Sequence, residues 1–366
     1  MGEDLEAFSV KFKRAKGNME KKTILWWGRF DADYSRNRIL RAILRGKGFN
    51  IVDFCPSISA VGDLQAVLKK LPKPDLIWIP CFRQRDFYAA NRYARLVKIP
   101  ILFDPLISSY DKRVFENRKL VEGSFKAERL RRWEGGMFEA SRIVLADTDE
   151  HARFFVEELG ADPQRVFTVP VGAEEELFNP QSAGMPNNPI EVLFYGSFVP
   201  LQGVDTIVEA ARLVPEVNWT LLGKGKLREG CECAAEGLGN VRFEDWVPYD
   251  QLASRIGEAD ILLGVFGETP KAKRVIPNKF YQAIACARPI ITLDSSVYSE
   301  GVREAGGDGI KWVPAADPAA LAEAVREWAS QSKELAHRGA VARIVYDKFY
   351  SVQTVFDSLV KALDTL

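Results

Sequence analysis

Residues 267–292, GETPKAKRVIPNKFYQAIACARPIIT, place four cations ahead of an apolar run. They are Lys271, Lys273, Arg274 and Lys279. A buried helix has no use for that much positive charge upstream of it, whereas a phosphate-bearing ligand does. Its oxygens form strong charge-assisted bonds with ammonium and guanidinium groups. A helix start adds unpaired N–H groups and a partial positive charge. Lys279 falls in the first turn of the helix expected at about 277–286, where a cation is locally unfavourable unless an anion stands in front of it. Asn278 is placed to cap that helix. Gln282 lies one turn on, where a carboxamide can bond ribose hydroxyls or simply edge the helix. The bland alternative for the whole stretch is a solvated basic loop.

Bulk charge makes any such site local. Lys plus Arg equals Asp plus Glu, at 50 each, so there is no global pull toward nucleic acid. The cysteines stand at 55, 81, 231, 233 and 286, and Cys231-Glu-Cys233 is not a metal-binding CxxC. With His151 and His337 far apart, these spacings argue against zinc and for reduced thiols in a cytoplasmic protein. No apolar run is long enough to span a bilayer. Residues 1–22 form a charged extension without a signal-peptide core.

The elements that must position these residues alternate regularly. Strands are expected at 23–27, 50–54, 75–79, 99–103, 142–146 and 166–170, with helices at about 35–47, 61–71, 85–97, 112–140 and 149–159. After a Pro-, Asn- and Gly-rich stretch at 179–189 the rhythm restarts. Strands follow at 190–195, 217–222, 241–244, 260–265, 289–293 and 310–313, each leading into a helix, the last into one at about 317–332. The pattern is that of βαβ units on parallel sheets. The chain is therefore α/β, with two doubly wound, Rossmann-like domains, at 23–180 and 186–345, and a cleft between them as the default ligand site. Gly196 and Gly203 follow a strand, as do Gly223 and Gly225. Neither pair completes G-x-G-x-x-G, which weighs against a nicotinamide dinucleotide.

Four stretches of the second half carry a family resemblance: 192–205 (VLFYGSFVPLQGVD), 220–225 (TLLGKG), 241–248 (VRFEDWVP) with 259–263 (ADILL), and 277–291 (PNKFYQAIACARPII). They resemble the GT-B glycosyltransferases of the retaining group 1 family (family 4). In the first half, Pro170-Val171-Gly172-Ala173 and Phe178 resemble the segment that closes the first domain. Two departures stand out. Members commonly carry an Arg after the first glycine and a Lys before the second, both on the donor diphosphate; here these are Ser197 and Gln202. Members also carry two Glu eight positions apart, where this chain has Arg274 and Gln282.

The resemblance implies a retaining, metal-independent glycosyltransferase without a cofactor, taking its sugar from a nucleoside-diphosphate sugar. It puts Gly28, Gly196, Ser197, Gln202, Gly203, Gly223, Gly225, Trp246, Lys271, Lys273, Arg274, Asn278 and Gln282 on the donor side, with at least one of Lys271, Lys273, Arg274 and Lys279 standing in for the missing cations. It makes 23–180 the acceptor domain and sends residues 346–366 back onto it as a helix. Arg29 would reach the donor phosphate or an acidic acceptor. Lys279 would steady the leaving diphosphate. Asp104, at a strand end, would orient or deprotonate the acceptor hydroxyl, its alternative being a loop cap. Ser35 reads as a helix cap, and Arg36 and Arg38 as solvated. At 112–133, cations interleave with Phe115, Leu120, Phe125, Leu130 and Trp133. That face would give peripheral contact with an anionic membrane and a lipid-linked acceptor, or else a solvated helix. A non-catalytic nucleotide-sugar binder and a nucleotide-sugar epimerase on the same scaffold are the alternatives.

Overall fold

The computed structural model describes residues 22–180 and 184–366. All of the expected charged extension except Lys22 lies outside them. The chain divides into two compact units, one running up to Val171 and joined by Val355–Leu366, the other Gly172–Thr354.

In the first unit the strands are β1 (Thr23–Trp27), β2 (Asn50–Phe54), β3 (Leu76–Ile79), β4 (Ile101–Phe103), β5 (Ile143–Ala146) and β6 (Val166–Thr168). The helices between them are α1 (Ser35–Gly46), α2 (Gly62–Leu68), α3 (Phe87–Val97), α4 (Phe125–Ala140) and α5 (Asp149–Glu157). All pairings are parallel, in the order β2-β1-β3-β4-β5-β6. Strands β3, β4 and β5 are buried along their whole length, as sheets covered on both faces require.

In the second unit the strands are β7 (Glu191–Tyr195), β8 (Asn218–Leu222), β9 (Val241–Glu244), β10 (Ile261–Leu263), β11 (Ile290–Leu293) and β12 (Ile310–Val313). The helices are α6 (Val204–Leu213), α7 (Arg228–Ala234), α8 (Leu252–Gly257), α9 (Asn278–Ala285), α10 (Glu300–Gly306), α11 (Pro318–Ser330) and α12 (Leu335–Val345). The order is β12-β11-β10-β7-β8-β9, again all parallel. Val192, Phe194 and Trp219 of this sheet pack with Ile207, Ala211, Val325 and Trp328 of α6 and α11 in one core.

Three expectations about the framework need correction. The break expected at 179–189 falls at Val171/Gly172 instead. Residues 172–178 are tied to the second unit: the Tyr249 hydroxyl donates to Glu174, Val352 N donates to Glu175 Oε1 at 2.8 Å, and Phe178 is buried against Tyr249. The terminal changeover comes at Thr354/Val355 rather than at 346, because Tyr350 packs edge-on to Phe280 and Tyr281. The continuous helix expected over about 112–140 does not form. Lys112–Glu116 is a π-helical turn and α4 starts only at Phe125, capped by Ser124. Phe115, Leu120, Leu130 and Trp133 pack against the first unit's core, leaving Phe125 exposed.

Candidate functional site

In a doubly wound sheet, ligands gather where neighbouring strands depart in opposite directions, outside their carboxyl ends. In the second unit that point lies between β7 and β10. Their ends lead into Gly196 and Gly264, and the Lys279 side chain from α9 fills the space between them. Its Nζ donates to Gly264 O at 3.3 Å and to Gln202 Oε1 at 2.6 Å, and stands 3.7 Å from the centroid of the Phe194 ring. A Cβ at Gly196 would lie 2.9 Å from that nitrogen. Lys279 is 5% exposed and no carboxylate lies within ion-pair distance among the described residues. Burial alone pushes its ammonium well below the usual lysine range.

The reason α9 points this cation inward is the alternation of its surroundings. Phe280, Tyr281, Ala283 and Ile284 are all buried with it, so the helix has little solvent face to offer. Asn278 does not cap: it is the first helical residue, and Pro277 holds the cap position without a side-chain bond. Ser35 likewise starts α1 behind Tyr34 instead of capping it. Lys271 is buried, Arg274 half-buried and Lys273 exposed, in a turn over Pro270–Lys273 that Thr269 caps.

The remaining donor-side residues fall into two groups. Ser197 and Trp246 are exposed, Trp246 just past the end of β9. The glycines serve loop-on-loop packing. A Cβ on Gly223 would come within 2.0 Å of Gly196 O, and one on Gly225 within 2.5 Å of Phe198 N; a Cβ on Gly203 would meet Phe266 C at 2.6 Å. Gln282 is buried in a polar chain. The Tyr195 hydroxyl lies 3.2 Å from Gln282 Oε1, and Gln282 Nε2 donates to the Tyr249 hydroxyl at 3.4 Å, which in turn donates to Glu174. Tyr249, Glu174 and Gly264 were missed by sequence reasoning, since in a loop they carry no motif; Phe194 and Tyr195 lie in the stretch 192–205 but were read there only as strand residues.

In the first unit the corresponding point lies between β1 and β3. Gly28 follows β1 at φ +137°, and Arg83 lies across it, with Cδ 3.0 Å from where a Cβ would stand. Arg83 also donates to the Arg29 carbonyl. Arg29 itself is exposed and donates to Ser59 Oγ at 3.2 Å. Beneath Arg83 is Asp86, fully buried, with neither carboxylate oxygen hydrogen-bonded; the Arg83 Nε stands 3.7 Å away.

Asp104 corrects the expectation of an available base. It is fully buried, and Arg36 Nε donates to its two oxygens at 2.8 and 3.0 Å. Arg36 is fully buried too, not solvated, and its Nη1 donates to Val169 O at 2.8 Å. Desolvation opposes the guanidinium's charge, but the Asp104 carboxylate, with Asp147 and Cys81 adding to it, holds Arg36 above its ordinary value. The pair braces α1 against β4 and the end of β6. His151 is buried as well, with Nδ1 2.5 Å from Asp147 Oδ1.

Comparison with known proteins bears on this arrangement. Residues 189–331 match the family model described as glycosyl transferases group 1. The D-inositol 3-phosphate glycosyltransferase of Geodermatophilus obscurus is 29% identical over 249 residues, covering 61% of this chain and 52% of the relative. That of Thermomonospora curvata is 30% identical over 199 residues, 46% of this chain and 44% of the relative. The chain thus spans about half the length of the curated relatives it matches. Among solved structures, sucrose-phosphate synthase of Thermosynechococcus elongatus superposes with a TM-score of 0.72 at 15% identity, covering 94% of this chain and 98% of the other. Anabaena Alr3699/HepE, in complex with UDP, gives a TM-score of 0.70 at 13% identity, covering 94% and 100%. HepE was also solved with UDP-glucose.

Proposed function

We propose that this chain, which has the GT-B fold and over residues 189–331 matches the group 1 glycosyl transferases, moves a sugar from a nucleoside-diphosphate sugar to an acceptor hydroxyl with net retention. The observation that carries the reading is Lys279, a buried amine without a counter-charge at the β7/β10 switch point. A diphosphate brought there supplies the missing charge. As the sugar–oxygen bond breaks, negative charge grows on the leaving diphosphate, and a fixed cation in water-poor surroundings stabilises it. Lys271 and Arg274 flank the same helix start. The charge at the site is cationic and comes from side chains, which supports a transfer that needs no divalent metal.

HepE's ligand, UDP, is the first nucleotide to test. Trp246, exposed beyond β9, is suited to stack on the base. The acceptor belongs to the first unit, where Asp86 replaces Asp104 as the candidate to receive a hydroxyl proton or hold the hydroxyl in line, with Arg29 and Arg83 at the rim. Its binding requires Arg83 to swing off Asp86.

Titration of the purified protein with UDP, GDP and their glucose conjugates, followed by calorimetry, tests the donor half. Binding that Lys279→Met abolishes or weakens strongly is expected. A nucleotide that binds wild type and variant alike refutes the Lys279 site. Slow hydrolysis of the bound nucleotide sugar, unaffected by EDTA, separates an enzyme from a binder; conversion to an epimeric sugar nucleotide would favour an epimerase.

A further inference from the structure

The first unit exposes an apolar face that its own core does not use. Ile58, Val61, Leu64, Val67 and Leu68 are all exposed, Leu64 at 61% and Leu68 at 81%. Val61, Leu64 and Leu68 recur at i, i+3 and i+7, one side of α2 and the turn before it. The opposite side is anchored: Ala66 is fully buried, and a Cβ on Gly62 would sit 3.0 Å from Pro56 and 3.1 Å from Trp27. The helix is therefore held firmly with its leucines outward.

Charge around this face is mainly positive. Lys69, Lys70 and Lys73 follow the leucines, all exposed. The nearby acids are engaged elsewhere. Asp63 accepts from Arg92 at 2.6 and 2.8 Å, and Asp75 accepts from Thr23 N at 2.7 Å. Gln65 is paired with Ser57.

We propose that residues 58–73 dock this protein on an anionic lipid surface, with Leu64 and Leu68 entering the headgroup boundary and Lys69, Lys70 and Lys73 facing acidic headgroups. Leucine beside lysine is the composition of an interfacial segment. A second copy of the chain would meet like charge, and a seven-residue helix falls well short of the roughly 800 Å² per partner of a stable interface. The proposal is independent of the transferase reading.

Co-sedimentation with vesicles tests it, using phosphatidylcholine alone and phosphatidylcholine mixed with phosphatidylglycerol. The wild-type protein should pellet with the acidic vesicles only, and less as salt rises. Leu64→Ser/Leu68→Ser and Lys69→Glu/Lys70→Glu should each lower partitioning roughly tenfold or more. Both pairs are exposed, so melting temperature and UDP binding should match wild type. Wild type that stays in the supernatant, or variants that pellet equally, would overturn the proposal. So would a dimer in sedimentation velocity that the serine variant turns into monomer, which would give this face to a second copy.

Discussion

Replacing Lys279 by methionine removes a charge while keeping an unbranched side chain, one atom shorter, over Phe194. In the ligand-free protein the lysine amine has two neutral acceptors, Gln202 Oε1 and Gly264 O, and no carboxylate. Burial lowers its pKa, so between the folded value and the unfolded value the unfolded chain binds more protons. Stability therefore rises with pH across that window, by at most about 1.4 kcal/mol per unit. The methionine variant lacks that slope, and near neutral pH it should be as stable as wild type or more so, as replacement of buried charge by apolar volume often is. Ligand binding should respond in the opposite direction. A hydrogen bond to a charged group contributes about 1.5–3 kcal/mol, so UDP affinity should fall by roughly 10- to 150-fold. Binding to wild type should also take up protons wherever the free amine is neutral, because a diphosphate favours the ammonium. Calorimetry in two buffers of different ionisation enthalpy reads the proton count, and urea melts from neutral pH to pH 10 read the stability slope. Unchanged UDP affinity, or a methionine variant clearly less stable at neutral pH, would refute the assignment of an uncompensated cation to this site.

Arg36→Met should cost about 3–5 kcal/mol by leaving the Asp104 carboxylate buried alone, and Arg36→Met/Asp104→Leu should recover most of it in urea melts; loss of activity from Asp104→Asn at full stability would instead make Asp104 catalytic. Asp86→Asn should raise the urea midpoint, since it removes a buried carboxylate whose oxygens lack hydrogen bonds, while leaving UDP affinity unchanged and slowing transfer. Gly223→Ala puts a Cβ 2.0 Å from Gly196 O, so it should destabilise the second unit by about 1–3 kcal/mol and weaken UDP binding along with it, as measured by melts and calorimetry.

The framework was legible because short runs rich in branched apolar residues alternate with amphipathic stretches, a rhythm local enough to read. Even the edge strands β2, β9 and β12, only partly buried, occupy the residues that rhythm marks, as β1 does. Reading failed where a tertiary partner decides the outcome. Nothing local shows that Asp104 will meet Arg36, which lies 68 residues away. Nor does composition separate the leucines of 112–133, which the core absorbs, from those of α2, which it leaves outside. The linker was misplaced for the same reason. Pro and Asn mark a stretch without regular structure, whereas the unit boundary is set by where Glu174, Glu175 and Phe178 find partners. Lys279 was legible as an oddity, a cation in a helix's first turn, but its counterpart at Gln202 was not.

That counterpart makes sense of the departures from the family pattern. At Gln202, where the family resemblance led us to expect a lysine, this chain has a carboxamide whose oxygen lies 2.6 Å from the Lys279 nitrogen. Two ammonium groups at that separation would repel each other in a site with little water, each making the other harder to protonate. A neutral acceptor removes the conflict and fixes the direction of the remaining amine. With the cation supplied from α9, the loop after β7 no longer has to supply one at position 202. The exchange carries a constraint. A lysine restored at 202 alone should weaken nucleotide binding by depressing both amines, whereas Gln202→Lys/Lys279→Gln, which swaps the pair, should retain more affinity than either single change.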